Sequence, residues 1–299
     1  MSYLTTNSLK PLALKLRREF ETILEDPHSP DRFQWDWWHL PGRYTHLRTP
    51  AARFFSDHAN ERLISELRAY GREQLGCQDI SPIWLSNYIE GCEQRLHADR
   101  PHGPWAFVLS LSPAIRKFQG GETIILRSEV LSFWHQGTRR GQAFEESEIV
   151  DRIPSVQGRL LVFDPRRPHG VSRLSGTLDP LEGRLVVHGW FAQPQPFVDG
   201  PVSAPAAEKS LQAFDDVLAS RFSSGIESTG TTAYRIAIRP DGKVSRVTQL
   251  ASSLAASVPA VEARETKMLT AAVRGHFLDW KFPKAKRASQ LTLPLSFER

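Results

Sequence analysis

Ten histidines are spread along the 299 residues, and only His97-Ala98-Asp99 places an acid two positions after one of them. In an extended segment residues i and i+2 project to the same side, so this imidazole and carboxylate can converge on one ion. A third ligand must come from elsewhere. His169 is the candidate, closing the run Phe163-Asp-Pro-Arg-Arg-Pro-His169 just after an apolar stretch. Two neutral imidazoles and one carboxylate on a single face leave other coordination positions open, which suits non-haem Fe(II).

A second element adds charge to this picture. Gly183-Arg184-Leu-Val-Val-His188-Gly-Trp190-Phe191 reads as a strand with Arg184, Val186, His188 and Trp190 on one face and Leu185 and Val187 on the other. An inward guanidinium is costly unless an anion meets it, and its planar fork matches a carboxylate. Fe(II) with Asp99 and two histidines carries one net positive charge, and Arg184 adds another. The pocket therefore suits a small dianion that also chelates the metal, and 2-oxoglutarate has that shape and charge.

The elements that must hold these residues are short. Ile83 to Tyr88, Ala106 to Leu111, Thr123 to Leu126, Leu160 to Phe163 and Leu185 to Phe191 are apolar runs of strand length separated by Gly and Pro. No strong helix intervenes, so an antiparallel barrel or sandwich is predicted. Upstream, Lys10 to Asp26 and about Ala59 to Leu75 carry apolar stripes at helical spacing, and Gly76 stands where the second should stop. The aromatic run Phe33 to Trp38 reads as packing for one face of the sheet. Arg127 to Gln157 is a long polar interruption with Trp134 and His135 inside it, as expected of a lid or insertion. His102 and His135 fall near the expected mouth. Gly120-Gly121 has neither the helix nor the lysine of a phosphate cradle, so it reads as a bend entering a buried strand, with Glu122 structural.

The ordered set Tyr88, His97-Ala-Asp99, Gly120-Gly-Glu-Thr123, Leu160 to Phe163, Pro168-His169, Arg184 and Trp190 resembles the prolyl-4-hydroxylase-like branch of the Fe(II)/2-oxoglutarate dioxygenases, over residues 80 to 192. The resemblance implies a mainly β fold, a double-stranded β-helix (jelly-roll) core with N-terminal supporting helices. It implies His97, Asp99 and His169 as metal ligands and Arg184 as the grip on the far carboxylate of 2-oxoglutarate. Tyr88, Ser110 and His188 are implied as further cosubstrate contacts, His188 being a departure from the hydroxyl of some relatives and equally readable as a hydrogen-bonded core histidine. The implied reaction uses O2 and 2-oxoglutarate to hydroxylate a protein or peptide side chain, with release of succinate and CO2. The retained Asp99 speaks against halogenation. A free amino acid or small metabolite is the alternative substrate, and a non-catalytic β-barrel binding protein the alternative function.

Past Phe191 the pattern changes. Residues 193–205 hold four prolines and a glycine and read as a linker. Residues 206–299 restart as a small α+β unit: a helix from Ala206 to Arg221, a strand at Tyr234 to Ile238, turn chemistry at Arg239-Pro-Asp-Gly242, and a returning strand from Lys243. A helix from about Val261 to Phe277 and an alternating strand, Leu291 to Phe297, complete it. This part resembles, more loosely, the C-terminal domain of TonB-like energy transducers. No anchoring helix is expected, so the resemblance implies a module for a protein partner or self-association. The run Lys281 to Arg287 is either a site for an acidic partner or a solvated loop. The predicted division is thus an oxygenase domain over 1–192, the linker and a C-terminal domain.

Composition sets the outer limits. Hydrophobic residues make up 40 % and charged residues 24 %, which is ordinary globular usage and argues against disorder or a coiled coil. No apolar run is long enough for a membrane span, and Lys10, Lys15, Arg17 and Arg18 break up the opening stretch, so no secretion signal is expected there. Cys77 and Cys92 cannot build a disulfide framework, which with the rest predicts a cytoplasmic setting. The net charge of +5 is too small to imply nucleic acid.

Overall fold

The computed structural model describes residues 3–99, 102–127, 145–223 and 225–298. Strand β1 (Tyr3–Thr6) leads into helix α1 (Lys10–Glu25), the hairpin β2 (Asp36–Leu40) and β3 (Tyr44–Pro50), and helices α2 (Ala51–Phe54) and α3 (Asp57–Tyr70). Nine strands follow: β4 (Cys77–Ile80), β5 (Trp84–Tyr88), β6 (Glu93–His97), β7 (Trp105–Ser110), β8 (Thr123–Leu126), β9 (Val150–Ile153, after the short α4, Glu146–Ile149), β10 (Leu160–Phe163), β11 (His169–Val171) and β12 (Arg184–Pro194). All pair antiparallel in one sheet ordered β1-β10-β7-β12-β5-β3-β6-β11-β8-β9, with β2 beside β3 and β4 beside β12.

That order cannot lie flat. Strands β10 and β11 are six places apart, about 29 Å at the usual strand spacing. The chain from Phe163 to His169 can reach only about 21 Å. The sheet must therefore fold over on itself, and it forms the expected double-stranded β-helix with two facing layers.

Helices α1 and α3 cover the outside of one layer. Leu12, Leu16 and Phe20 of α1, with Leu63 and Leu67 of α3, pack against Leu109, Leu160, Val162, Leu185 and Val187. Each such buried side chain contributes about 2 kcal/mol. Because strand side chains alternate, burying Leu185 and Val187 outward turns Arg184, Val186 and His188 inward. Packing of the supporting helices thus aims the arginine into the fold. Gly76, at φ +69, ends a π-helical turn (Gly71–Leu75) that continues α3.

The C-terminal part adds α5 (Ala204–Arg221), β14 (Gly230–Ile238), β15 (Val244–Ser252), α6 (Pro259–Asp279) and β16 (Ser289–Phe297), close to the elements predicted. Its own core gathers Phe214 from α5, Val273 and Phe277 from α6, and Tyr234, Ile236, Leu291 and Leu293 from the strands. The segment read as a linker contributes to both sheets. Its first residues end β12, while β13 (Phe197–Asp199) pairs with β16. The C-terminal sheet runs β13-β16-β14-β15.

The aromatic run departs from its expected role. Trp35 packs on Phe20 and Phe54, but Phe33, at the end of a 3-10 turn, and Trp37, on the outer hairpin strand β2, are exposed. Gly120 and Gly121, at φ +73 and +71, make the bend into β8, and a Cβ on Gly120 would lie 2.0 Å from Arg173 O. Glu122 bonds Ser172, a structural role. Trp134 and His135 lie outside the described residues, and β9 occupies part of the predicted interruption. Both cysteines are buried and free. Among the described residues no helix is long and apolar enough to cross a membrane.

Candidate active site

His97 ends β6 and His169 opens β11, and the two face each other directly in the strand register. Their ring centroids are 4.5 Å apart. Asp99 lies beyond β6, its backbone N–H donating to Pro165 O at 2.8 Å. Its carboxylate oxygens reach His97 Nε2 at 3.5 Å and His169 Nε2 at 3.4 Å. One ligating atom from each of the three lies within 4.8 Å of the others. The residues singled out by spacing are therefore brought together from two strands and a turn.

The tautomers are set by carbonyls. His97 Nδ1 is 2.9 Å from Arg95 O, and His169 Nδ1 is 2.9 Å from Arg167 O. A carbonyl can only accept, so each Nδ1 carries a proton and each Nε2 is left as the nitrogen that can ligate an ion beside Asp99. Burial, and then the neighbouring His169, hold His97 below the usual histidine range, which keeps it neutral. Burial pushes the Asp99 carboxyl up, but its imidazole neighbours, His169 foremost, outweigh burial and leave it low and ionised.

The three residues open on a cavity of about 490 Å³, within the range of small-molecule sites. At its buried end Arg184 is only 1 % exposed. Its Nη2 donates to Thr123 Oγ1 at 3.1 Å, its guanidinium lies 4.7 Å from the centre of the Tyr88 ring, and its Nε has no partner. It pairs with neither Glu182 nor Asp179 of the turn before its strand, and Glu182 pairs instead with Lys117. Tyr88 faces Arg184 across the β5–β12 pair and donates to Gln94 Oε1 at 3.3 Å. His188 also lines the cavity, its Nε2 2.8 Å from Ser86 Oγ. Burial, with the charge of Arg48 next, pushes His188 well below the usual range. His102 stands at the exposed rim, stacked 4.4 Å from Trp190. Ser110 is the exception. It does not line the cavity, because its hydroxyl is engaged by Ser155 at 2.8 Å.

Four lining or bracing residues were not read as site residues from the sequence, although Thr123 closes the Gly120-Gly-Glu-Thr123 motif. Gln94 Nε2 donates to the His97 Nε2 lone pair at 3.1 Å, an amide that must yield when an ion takes that position. Thr123 holds Arg184. His46 of β3 stacks 5.2 Å from Tyr88, and Arg48 of β3 lies between Trp38 and Trp84. Gln94, His46 and Arg48 belong to no local motif, since each reaches the site by pairing across the sheet.

No family model matches the chain, and no curated protein matches it by sequence. Solved structures do. A prolyl-4-hydroxylase from Pseudomonas putida is similar at 17 % identity and TM-score 0.45, covering 65 % of this chain and 94 % of that one. A viral collagen prolyl hydroxylase from Paramecium Bursaria Chlorella virus-1, in its 2-oxoglutarate complex, is similar at 11 % identity and TM-score 0.40, covering 64 % and 95 %. A prolyl hydroxylase from Trichoplax adhaerens, solved with a peptide fragment of the hypoxia inducible factor, is similar at 13 % identity and TM-score 0.41, covering 64 % and 83 %.

Proposed function

We propose that this chain is an Fe(II)- and 2-oxoglutarate-dependent oxygenase that hydroxylates a peptide or protein side chain, with His97, Asp99 and His169 as metal ligands. The observation that carries the reading is the convergence of two Nε2 atoms and one carboxylate within 4.8 Å, on a cavity whose closed end holds a buried arginine without an acid partner. The donor set fits the ion: two imidazoles that can ligate through Nε2 and an ionised carboxylate on one side leave the facing positions open. The orphaned Arg184 Nε fits the far carboxylate of the cosubstrate. When bound, Fe(II) and 2-oxoglutarate supply the oxygen chemistry, in which the keto acid becomes succinate and CO2 as a substrate C–H is hydroxylated.

The chain's own residues do the positioning. Arg95 O and Arg167 O hold the imidazole planes, and Pro165 O holds the Asp99 backbone. Thr123 and the Tyr88 ring fix the Arg184 fork before any ligand arrives, so little side-chain entropy remains to be lost on binding. Val171, Val186 and Phe163 line the cavity and keep it apolar around the charged groups.

The test is oxygen-dependent succinate formation by the purified full chain with Fe(II) and 2-oxoglutarate, with loss to background in His169→Ala. No succinate in the presence of candidate peptides, amino acids or metabolites would favour the non-catalytic alternative. Turnover stimulated only by free amino acids or metabolites would move the substrate from peptide to small molecule.

A further inference from the structure

Arg48 is a second cavity arginine, and the chemistry above does not use it. It lies on β3 opposite Ser86 of β5. Its guanidinium carbon is 3.7 Å from the Trp84 ring centre and 4.6 Å from that of Trp38. Its Nε is buried without a partner, and no acid among the described residues forms an ion pair with it. The indoles hold the cation in place by cation–π attraction but leave its hydrogen-bonding edge unused. Trp190 Nε1, in the same cavity, is likewise buried without an acceptor.

A charge count sharpens this. Among the described lining residues Arg48, Arg184 and Asp99 are the charged ones. The histidines nearest Arg48 are neutral: burial, then Arg48 itself, pushes His46 down to about 4, and His188 is also driven low. Under the proposed function, Fe(II), Asp99 and Arg184 together are neutralised by the 2-oxoglutarate dianion. Arg48 remains as one uncompensated positive charge in the cavity. A planar cation with a free edge, walled by aromatic rings and reached by the field of Asp99 without a direct ion pair to it, is built to receive an anion.

We propose that Arg48 anchors the substrate by a carboxylate, so that the molecule oxidised here is a carboxylic acid, either a small free acid or a peptide bearing an acidic side chain. This rests on the oxygenase reading and adds the substrate's chemical class to it.

The test is calorimetric titration of the full chain, loaded anaerobically with Fe(II) and 2-oxoglutarate. One arm uses free amino acids and small mono- and dicarboxylic acids. The other uses end-blocked peptides containing aspartate or glutamate. Each acid is paired with its carboxamide. At least one acid should bind roughly tenfold or more tightly than its amide, about the effect of one lost charged hydrogen bond. The arm that binds names the source. Arg48→Gln should abolish the discrimination, Arg48→Lys should retain part of it, and 2-oxoglutarate affinity should stay within about twofold in both. The acid–amide comparison in the unaltered protein stands even if a variant fails to fold. The proposal is overturned if acids and amides bind alike, if no acid binds in either arm, or if Arg48→Gln weakens 2-oxoglutarate as strongly as loss of Arg184 does. Failure of the unaltered protein to bind 2-oxoglutarate at all would instead remove the oxygenase reading, and this proposal with it.

Discussion

Arg184 shows how much one side chain's surroundings decide. It is buried, held by one hydroxyl and one aromatic face, and lacks an acid partner. Truncating one member of a buried charged pair costs about 2–5 kcal/mol. Arg184→Gln is therefore expected to weaken 2-oxoglutarate roughly a hundredfold while Fe(II) affinity survives, and equal cosubstrate affinity in an anaerobic titration would remove its assigned role. His46 makes a pH prediction. Burial, then the charges of Arg48 and Arg184, lowers it from 6.5 to about 4. As pH falls the unfolded chain takes this proton first, so the stability contribution is complete above about pH 6.5 and lost on descent toward pH 4, a change of roughly 3 kcal/mol. Urea unfolding at pH 7 and pH 4.5 should show a smaller loss in His46→Phe than in the parent, and identical losses would contradict it. His97, Asp99, His169 and Arg184 were legible because each sits in or beside a short local pattern at a strand end. His46, Arg48 and Gln94 were not, because their meaning appears only after β3 and β6 are brought beside other strands. Ser110 failed for the converse reason: its strand position was plausible, but Ser155 engages its hydroxyl.

At the scale of elements, β11 is the piece on which the site turns. Three residues long, it pairs with β6 on one side and β8 on the other. Gly170 permits the approach, since a Cβ there would lie 2.3 Å from Gln94 O. Gly170→Ala should push β11 away from β6, separate His169 from His97, and weaken Fe(II) binding roughly tenfold or more, as loss of ligand orientation does. Metal affinity unchanged from the parent would show that the close pairing is not what sets the ligand spacing. The strands that sequence made legible, such as Thr123–Leu126 and Leu160–Phe163, are largely apolar with Gly or Pro close by along the chain. Strands β1, β2 and β9 were not anticipated, because polar residues such as Thr5, Asp36 and Arg152 dilute their apolar pattern and pairing rather than composition defines them.

Across the whole molecule, the turn Asp164–Pro168 ties the residues of the candidate metal site to the C-terminal part. Its carbonyls hold Asp99 and His169, as above. Its Arg166, paired with Asp164, donates to Thr229 Oγ1 at 3.1 Å and Ser253 O at 3.0 Å. Arg235 also donates to Glu73 O, and a Cβ on Gly76 would meet Pro294 at 2.7 Å. Arg166→Ala is expected to speed proteolysis within 193–205 and to lower Fe(II) affinity severalfold. Neither change occurring would mean the C-terminal part is mechanically separate from the site. The two sets of elements were readable from composition and turn residues, whereas the bonds between them were not, since side chains so far apart in sequence leave no local signature.

The central claim is that His97, Asp99 and His169 hold Fe(II) beside a 2-oxoglutarate gripped by Arg184. It is tested most directly by anaerobic absorbance of the full chain titrated with Fe(II) and 2-oxoglutarate together. A visible charge-transfer band should grow and saturate near one equivalent of metal, be absent in His97→Ala and His169→Ala, and require far more 2-oxoglutarate in Arg184→Gln. No band in the unaltered protein, or an undiminished band in His169→Ala, would contradict the account.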